Sequence, residues 1–149
     1  MGQQQLLLLV LGIVIVGLAV VVGINAFGEN DKKANADAMV TDALRIASDC
    51  QAWDLKPGQF GGSLDTETLT DCSFDKIGYP NSGGTYTNVN GDYQLTGTTN
   101  PCGGTITIPS GNAALQHVHG RNDDRDNDVC VALAGTRAND IGTIVNFNF

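Results

Sequence analysis

Residues Leu6–Ile24 read LLLLVLGIVIVGLAVVVGI, and the role of this stretch decides how the rest of the chain is interpreted. None of its nineteen residues carries a charge or a polar side chain. As a helix rising about 1.5 Å per residue it would span about 28 Å, close to the thickness of a bilayer core. A helix on the surface of a soluble domain is apolar along one stripe only. The stretch therefore requires lipid or other apolar helices around it.

The residues that flank this apolar run argue against several simpler roles for it. A cleaved secretory signal would need a basic lead-in and a shorter apolar core, but the residues before Leu6 are uncharged and the run is long. A myristoylation site would need Ser or Thr at position 6, where this chain has Leu6. A plain membrane anchor stays open, and a further role depends on the residues after Ile24.

The composition of the remaining chain limits its class. Of 149 residues, about 120 come after Phe27, which is enough for one small domain. The formal net charge of −8 argues against a nucleic-acid partner and against an anionic membrane surface, because both require basic patches. Abundant Gly, Asn, Thr and Asp indicate a secreted, loop-rich, largely β domain.

Four cysteines lie in this part of the chain, at positions 50, 72, 102 and 130. Their spacings of 22, 30 and 28 residues differ from those of zinc sites, in which pairs lie two to four residues apart. Widely spaced cysteines after an apolar segment favour two disulfides outside the cytoplasm. Three pairings are possible, of which Cys50–Cys72 with Cys102–Cys130 is the simplest.

A second helical pattern comes after the apolar run. Apolar residues recur at spacings of 4, 3, 4 and 3, which places them on one helix face: Met39, Ala43, Ile46, Cys50 and Trp53. Pro57-Gly58 ends the pattern. We predict one helix over residues 4–54, apolar all round in its first half and amphipathic in its second.

The chain resembles a type IV pilin or pilin-like filament subunit in the order of its parts. An apolar half-helix comes first, an amphipathic half-helix continues it (ANADAMVTDALRIASDCQAW, residues 34–53), and a small β-rich domain follows. One departure concerns position 5. Bacterial type IV pilins usually have Glu there, whereas this chain has Gln5 if Met1 is the mature start, and no acid precedes Glu29. Archaeal-type pilins often lack that carboxylate as well.

The resemblance implies how the chain is processed and assembled. A leader is cut by a prepilin peptidase, the new N-terminus is methylated, and the candidate processing residues are Met1, Gly2 and Gln3. Either the leader was removed before Met1, or it is Met1-Gly2 with Gln3 as the mature start. The implied partners are the pilus assembly machinery, the cytoplasmic membrane before assembly, and many copies of the chain in an extracellular filament on the cell surface. The implied assembly residues are Leu6, Leu7, Leu8, Leu9, Val10, Leu11, Ile13, Val14, Ile15, Val16, Leu18, Val20, Val21, Val22 and Ile24.

The expected fold is α+β, with a small antiparallel sheet and two disulfides packed on the long helix. We divide the chain into a filament-core or transmembrane helix, residues 1–27, and a globular head, residues 28–149. The head comprises the amphipathic helix 29–54 and a loop-and-sheet part, 55–149. The turn Asn90-Gly91 gives the clearest hairpin signal. The expected strands are 85–89, 92–96, 105–108, 129–133 and 141–147, with an ordered loop over 63–83 and a possible short helix at Asn112–His117.

Few residues in the head suggest a metal-binding or catalytic site. His117 and His119 would point to one face of a strand, as some metal sites require, but no third ligand is specified. Asp124, Asp126 and Asp128 alternate like the start of a calcium loop, whose sixth position would be Val129 instead of Gly. These five residues are weak metal candidates, and we expect neither a metal, a cofactor nor a catalytic site.

The sequence therefore favours a structural subunit, a pilin, of an extracellular type IV pilus-like filament that polymerises through its N-terminal helix. The main alternative is a single-span, membrane-anchored extracytoplasmic binding domain. A third possibility is a secreted metal-dependent hydrolase that uses His117 and His119.

Overall fold

The structure, a computed structural model, describes residues 2–63, 68–103, 105–123 and 127–147. The expected long helix is confirmed as α1, Gly2–Asp54. The chain divides into two compact units, Met1–Ala34 and Asn35–Phe149.

The first unit is helical and has no buried core of its own among its described residues. Its large apolar side chains between Leu6 and Ile24 are exposed to between 51% (Leu11) and 70% (Leu7) of their full area. Every buried residue of α1 lies at Ala36 or beyond. The first half of the helix therefore keeps its whole apolar surface available.

The second unit contains a five-stranded antiparallel sheet, as expected for an α+β fold. The strands are arranged in chain order, so each pairs with its sequence neighbours. Short helical turns occur at Gly58–Phe60, Leu69–Asp71 and Ala138–Asp140, and a one-turn helix, α2, at Phe74–Ile77. The strands are β1 Thr85–Thr87, β2 Asp92–Thr96, β3 Gln116–Arg121, β4 Asn127–Leu133 and β5 Ile141–Phe147.

The inner face of the sheet packs on the amphipathic half of α1. Met39, Ala43 and Ile46 form one buried cluster with strand residues that include Tyr93 and Val118. Tyr93 pairs with Gly120 across β2 and β3, and a Cβ at Gly120 would come within 2.8 Å of the Tyr93 ring. The fully buried tyrosine thus occupies the space that the glycine leaves open.

The expected third strand at 105–108 is wrong, because the strand next to the hairpin is β3, Gln116–Arg121. The short helix considered at Asn112–His117 is also wrong, since His117 belongs to β3. Residues 105–108 instead lie against the outer face of the sheet. A Cβ at Gly142 of β5 would meet the Thr107 carbonyl oxygen at 2.7 Å and Ile106 Cγ2 at 2.9 Å. Their alternating pattern therefore reflects packing on the sheet and not pairing within it.

Both disulfides have the simplest pairing. Cys50 of α1 bonds Cys72, with 5.9 Å between their Cα atoms, and Cys102 bonds Cys130 of β4, with 6.1 Å. The first holds the segment before α2 against α1, and the second holds the segment before β3 against the outer face of the sheet.

The segment expected to be an ordered loop over 63–83 contains short helical elements in its described part. Leu69 and Phe74 are buried in the core beside α1. Residues 64–67 of that expected loop lie outside the described residues.

Candidate functional site

The first candidate site is the apolar surface of α1 between Leu6 and Ile24. All fifteen large apolar side chains of this run are exposed. They occupy nearly consecutive positions, so they cover every side of the helix and not one stripe. Among the described residues of its own unit nothing covers this surface, which is the condition for contact with lipid or with other helices.

Three glycines interrupt the apolar surface. A Cβ placed at Gly12, Gly17 or Gly23 would meet nothing within 4 Å. Packing within the described chain therefore gives no reason for a glycine at these positions. Small residues on an apolar helix allow another helix to approach its backbone closely.

This helix also meets the length and composition expected of a membrane span. Its most apolar window of eighteen residues has a mean hydropathy of 3.2, and none of that window is buried. A membrane anchor and a signal sequence both satisfy this criterion. The structure is thus compatible with an N-terminal membrane anchor or a signal sequence.

The candidate processing residues lie at the start of this helix. Gly2 and Gln3 belong to α1, and Met1 lies outside the described residues. Gln5 is the fourth residue of α1 and is exposed.

The two histidines occupy a strand, as the metal hypothesis required, but each has another partner. His117 Nδ1 lies 2.8 Å from the Gly97 carbonyl oxygen, and His119 Nε2 lies 3.2 Å from Asp128 Oδ1. Both side chains are buried on the outer face of the sheet, since Val118 between them points into the core. Of the three aspartates considered with them, Asp124 and Asp126 lie outside the described residues.

Asp128 lies in a small charged cluster with His119 and Arg121. Arg121 Nε donates a hydrogen bond of 2.8 Å to Asp128 Oδ1. Burial alone would raise the pKa of Asp128, but the hydrogen bonds from Arg121 and His119 outweigh it and lower the pKa. Asp128 therefore acts as an ion-pair partner in this cluster.

Potential metal ligands also surround the second disulfide. Within the described ranges, one group of His, Cys, Asp or Glu has its ligand atoms within 4.8 Å of one another, and it comprises Cys102, His119 and Cys130. Two of these three atoms are sulfurs bonded to each other in a disulfide. Because thiolates are the sulfur ligands of metals, the oxidised group lacks the donors that such a site needs.

A second surface feature is a cleft that local sequence patterns do not reveal. Arg45, Trp53 and Lys56 line this cleft together with residues 76–80 and Tyr86. The helical spacing of Arg45, Asp49 and Trp53 places them on one face, which the sequence does show. The opposite wall comes from segments more than twenty residues away in sequence, which the Cys50–Cys72 disulfide and the sheet bring together.

No protein-family model, curated protein or solved structure matches the chain.

Proposed function

We propose that the chain is a structural subunit of an extracellular type IV pilus-like filament, assembled through residues 6–24. The observation that carries the proposal is an all-round apolar surface on the same continuous helix whose amphipathic half supports a disulfide-stapled head. In a bundle of identical helices, each apolar surface replaces the lipid around its neighbours. The head domains then coat the bundle.

Once the helix has left the membrane, the free energy that keeps its apolar surface inside the bundle and out of water is large. At about 25 cal/mol per Å², burial of about 1,000 Å² of apolar surface per subunit corresponds to about 25 kcal/mol before opposing terms. The cost of ordering each subunit opposes it. The open positions at Gly12, Gly17 and Gly23 favour helix–helix contact, because they let backbones approach closely.

Processing and localisation follow from the resemblance to pilins. In this proposal a prepilin peptidase generates the mature N-terminus near Met1, Gly2 or Gln3, which is then methylated. The helix stays in the cytoplasmic membrane until the assembly machinery transfers it into the fibre. No catalytic role is assigned to the head.

The alternative function is a single-span, membrane-anchored binding domain. An apolar run of nineteen residues is long enough to span a bilayer core without a partner helix. The two functions differ in whether the helix leaves the membrane.

Electron microscopy of material sheared from cells tests the proposal, with mass spectrometry of the N-terminus. We expect thin uniform fibres composed of this chain and retaining residues 6–24. A chain that stays monomeric in the membrane fraction would overturn the filament and favour the anchored domain.

A pair of variants tests how the helices pack. Gly17→Leu fills an open position without reducing hydropathy, so the chain should still enter the membrane but form few or no fibres. Val16→Leu, its matched control one residue away, should form fibres normally. Normal fibres from Gly17→Leu would show that close approach at this glycine is not used.

Metal analysis of the head, residues 28–149, tests the enzyme alternative. Stoichiometric zinc lost on substitution of His117 or His119 would contradict the purely structural role and favour a metal-dependent hydrolase.

A further inference from the structure

A cleft of about 460 Å³ opens on the head beside the C-terminal part of α1. Arg45, Asp49 and Trp53 line it from successive turns of one face of the helix, and Lys56 lines it just beyond the helix end. Residues 76–80 form much of the opposite wall. All of these residues belong to the second compact unit, so the cleft is complete within the head.

The charge of the cleft is opposite to that of the protein. The chain has a net charge of −8 and eight Lys and Arg residues, of which Arg45, Lys56 and Lys76 line this cleft. Asp49 is the one carboxylate among its lining residues. Asp54, on the next turn of the helix, instead accepts a hydrogen bond from Ser63. A positive cleft on an acidic surface indicates selection for an anionic group.

The walls of the cleft are held in place by contacts of their own. The Nζ atom of Lys76 lies 4.9 Å from the centroid of the Trp53 ring. Trp53 Nε1 donates a 2.9 Å hydrogen bond to the Gly61 carbonyl, and the tryptophan is 2% exposed. The cation–π contact between Lys76 and Trp53 holds the Lys76 ammonium at the wall of the cleft. The Cys50–Cys72 disulfide ties the helix to the segment leading into α2.

Two tyrosines complete the opposite wall. The rings of Tyr79 and Tyr86 meet edge to face, with 4.9 Å between their centroids. The Tyr79 hydroxyl donates a 2.6 Å hydrogen bond to Asp49 Oδ2. Burial, and then this bond to Asp49, raise the pKa of Tyr79 to about 12, so the hydroxyl stays neutral at physiological pH. The cleft thus combines cations, an acceptor carboxylate and aromatic rings.

This combination fits one class of ligand better than a simple anion. Phosphate or sulfate would pair with the cations, but sulfate has no donor for Asp49 and neither ion has a ring to place against the tyrosines. A sugar acid uses all three kinds of group: its carboxylate pairs with Arg or Lys, its hydroxyls donate to Asp49, and its ring lies against a tyrosine. A volume of about 460 Å³ suits a small ligand of one or two sugar units.

We propose that this cleft binds an acidic sugar, a pyranose ring that carries a carboxylate, with Arg45 and Lys56 contacting the carboxylate and Asp49 accepting from ring hydroxyls. The proposal does not depend on the filament, because every residue involved lies in the head.

Intrinsic fluorescence tests the proposal directly, because Trp53 is the single tryptophan of the chain and lies in the cleft wall. The full chain, in a detergent without a sugar headgroup, is titrated with the methyl glycoside of glucuronic acid. Methyl glucoside, sodium phosphate and sodium sulfate are titrated in parallel at equal ionic strength. We expect a saturable fluorescence change with the glucuronide alone.

Substitutions then locate the site. Arg45→Gln removes a charged hydrogen-bond donor to the carboxylate, so binding should weaken by about 10-fold or more. Lys56→Gln should also weaken binding of the glucuronide. Lys33→Gln makes the same charge change at an exposed position outside the cleft and should leave the affinity unchanged.

Several results would overturn the proposal. The first is the absence of a saturable fluorescence change with the glucuronide. The second is an equal response to phosphate or sulfate, and the third is an equal effect of Arg45→Gln and Lys33→Gln on the affinity. Arg45 is exposed, so its substitution should leave the fold intact, and far-ultraviolet circular dichroism checks this. If Arg45→Gln misfolds, the Lys56→Gln titration decides alone.

Discussion

At the scale of single residues, Asp42 connects the helix to the β1–β2 hairpin. Its Oδ2 atom accepts hydrogen bonds from Asn88 Nδ2 at 2.8 Å, Asn90 Nδ2 at 2.7 Å and the Tyr93 hydroxyl at 3.1 Å. Burial, and then the Asp42 charge and hydrogen bond, raise the pKa of Tyr93, so the phenol stays protonated as a donor. One carboxylate thereby satisfies three donors of the hairpin.

We expect Asp42→Ala to lower the free energy of unfolding by about 2–4 kcal/mol, because it leaves the buried Tyr93 hydroxyl without its acceptor. Asp37→Ala is the matched control, since it makes the same change at an exposed position of α1. Denaturant unfolding of both variants of the head measures the difference. Equal effects of the two substitutions would show that the hydrogen bonds to Asp42 do not stabilise the fold.

Asp128 makes the stability of the head depend on pH. Its pKa is lowered below the ordinary value of 3.8, so the folded state holds the charged form more strongly than the unfolded chain does. The stabilisation is fully present above about pH 4 and is lost as the pH falls through the lowered pKa. We therefore expect the difference in unfolding free energy between the wild type and Asp128→Asn to shrink on acidification below pH 4. A difference that stays constant down to pH 2 would contradict this assignment.

At the scale of elements, the outer face of the sheet is covered by an irregular segment instead of a helix. Its described residues between β2 and β3 are 97–103 and 105–115, and Ile108 among them is buried. Asn146 Nδ2 donates a 2.6 Å hydrogen bond to the Cys102 carbonyl, and the Ser110 amide donates one of 2.9 Å to the Asn139 carbonyl. The sheet is thus covered on both faces, which explains why all but the last residue of β3 is buried.

Replacement of Cys102 and Cys130 by alanine should release this covering segment. The disulfide closes 28 residues, and the chain-entropy relation assigns about 3–4 kcal/mol to a loop of that size. We expect a loss of unfolding free energy of that order. Amide exchange at Ser110 should accelerate much more than exchange in β4, which pairs with strands on both sides. Equal acceleration at both would indicate that the disulfide stabilises the whole head and not this segment in particular.

At the scale of the whole molecule, the buried core belongs to one unit and the exposed apolar helix to the other. The buried apolar residues of the described chain lie at Ala36 and beyond, whereas the large apolar residues of 6–24 are all exposed. The head therefore has a core and two disulfides of its own. We therefore expect residues 6–24 to control the solubility and association of the chain.

We expect the fragment 28–149 to be soluble and monomeric, with both disulfides formed, because it keeps the whole core and the Asn35 contact with the Asn90 carbonyl. The full chain should require detergent or assemble, since its apolar helix is exposed. Size-exclusion chromatography with light scattering compares the two. A full chain that remains monomeric in plain buffer would contradict the role given to residues 6–24.

The sequence by itself determined the features that depend on neighbouring residues. The length of α1 follows from a continuous apolar run joined to a helical periodicity. Asn90-Gly91 predicted the place of the β1–β2 hairpin but not its loop, because the expected strand 85–89 ends at Thr87 and four residues, 88–91, separate it from Asp92. The sequence left three disulfide pairings open, and the structure has the simplest of them, Cys50–Cys72 with Cys102–Cys130. The candidate assembly surface is therefore readable from local pattern alone.

Only the tertiary structure decided the features that join distant segments. β3 contains one large apolar residue, Val118, between two histidines, and is recognisable as a strand only through its pairing with β2 and β4. Residues 105–108 alternate like a strand but pack on Gly142. The basic cleft needs α1, α2 with the residues that follow it, and β1 together. Local pattern reports which face of a segment is apolar, whereas long-range packing selects the surface that covers it.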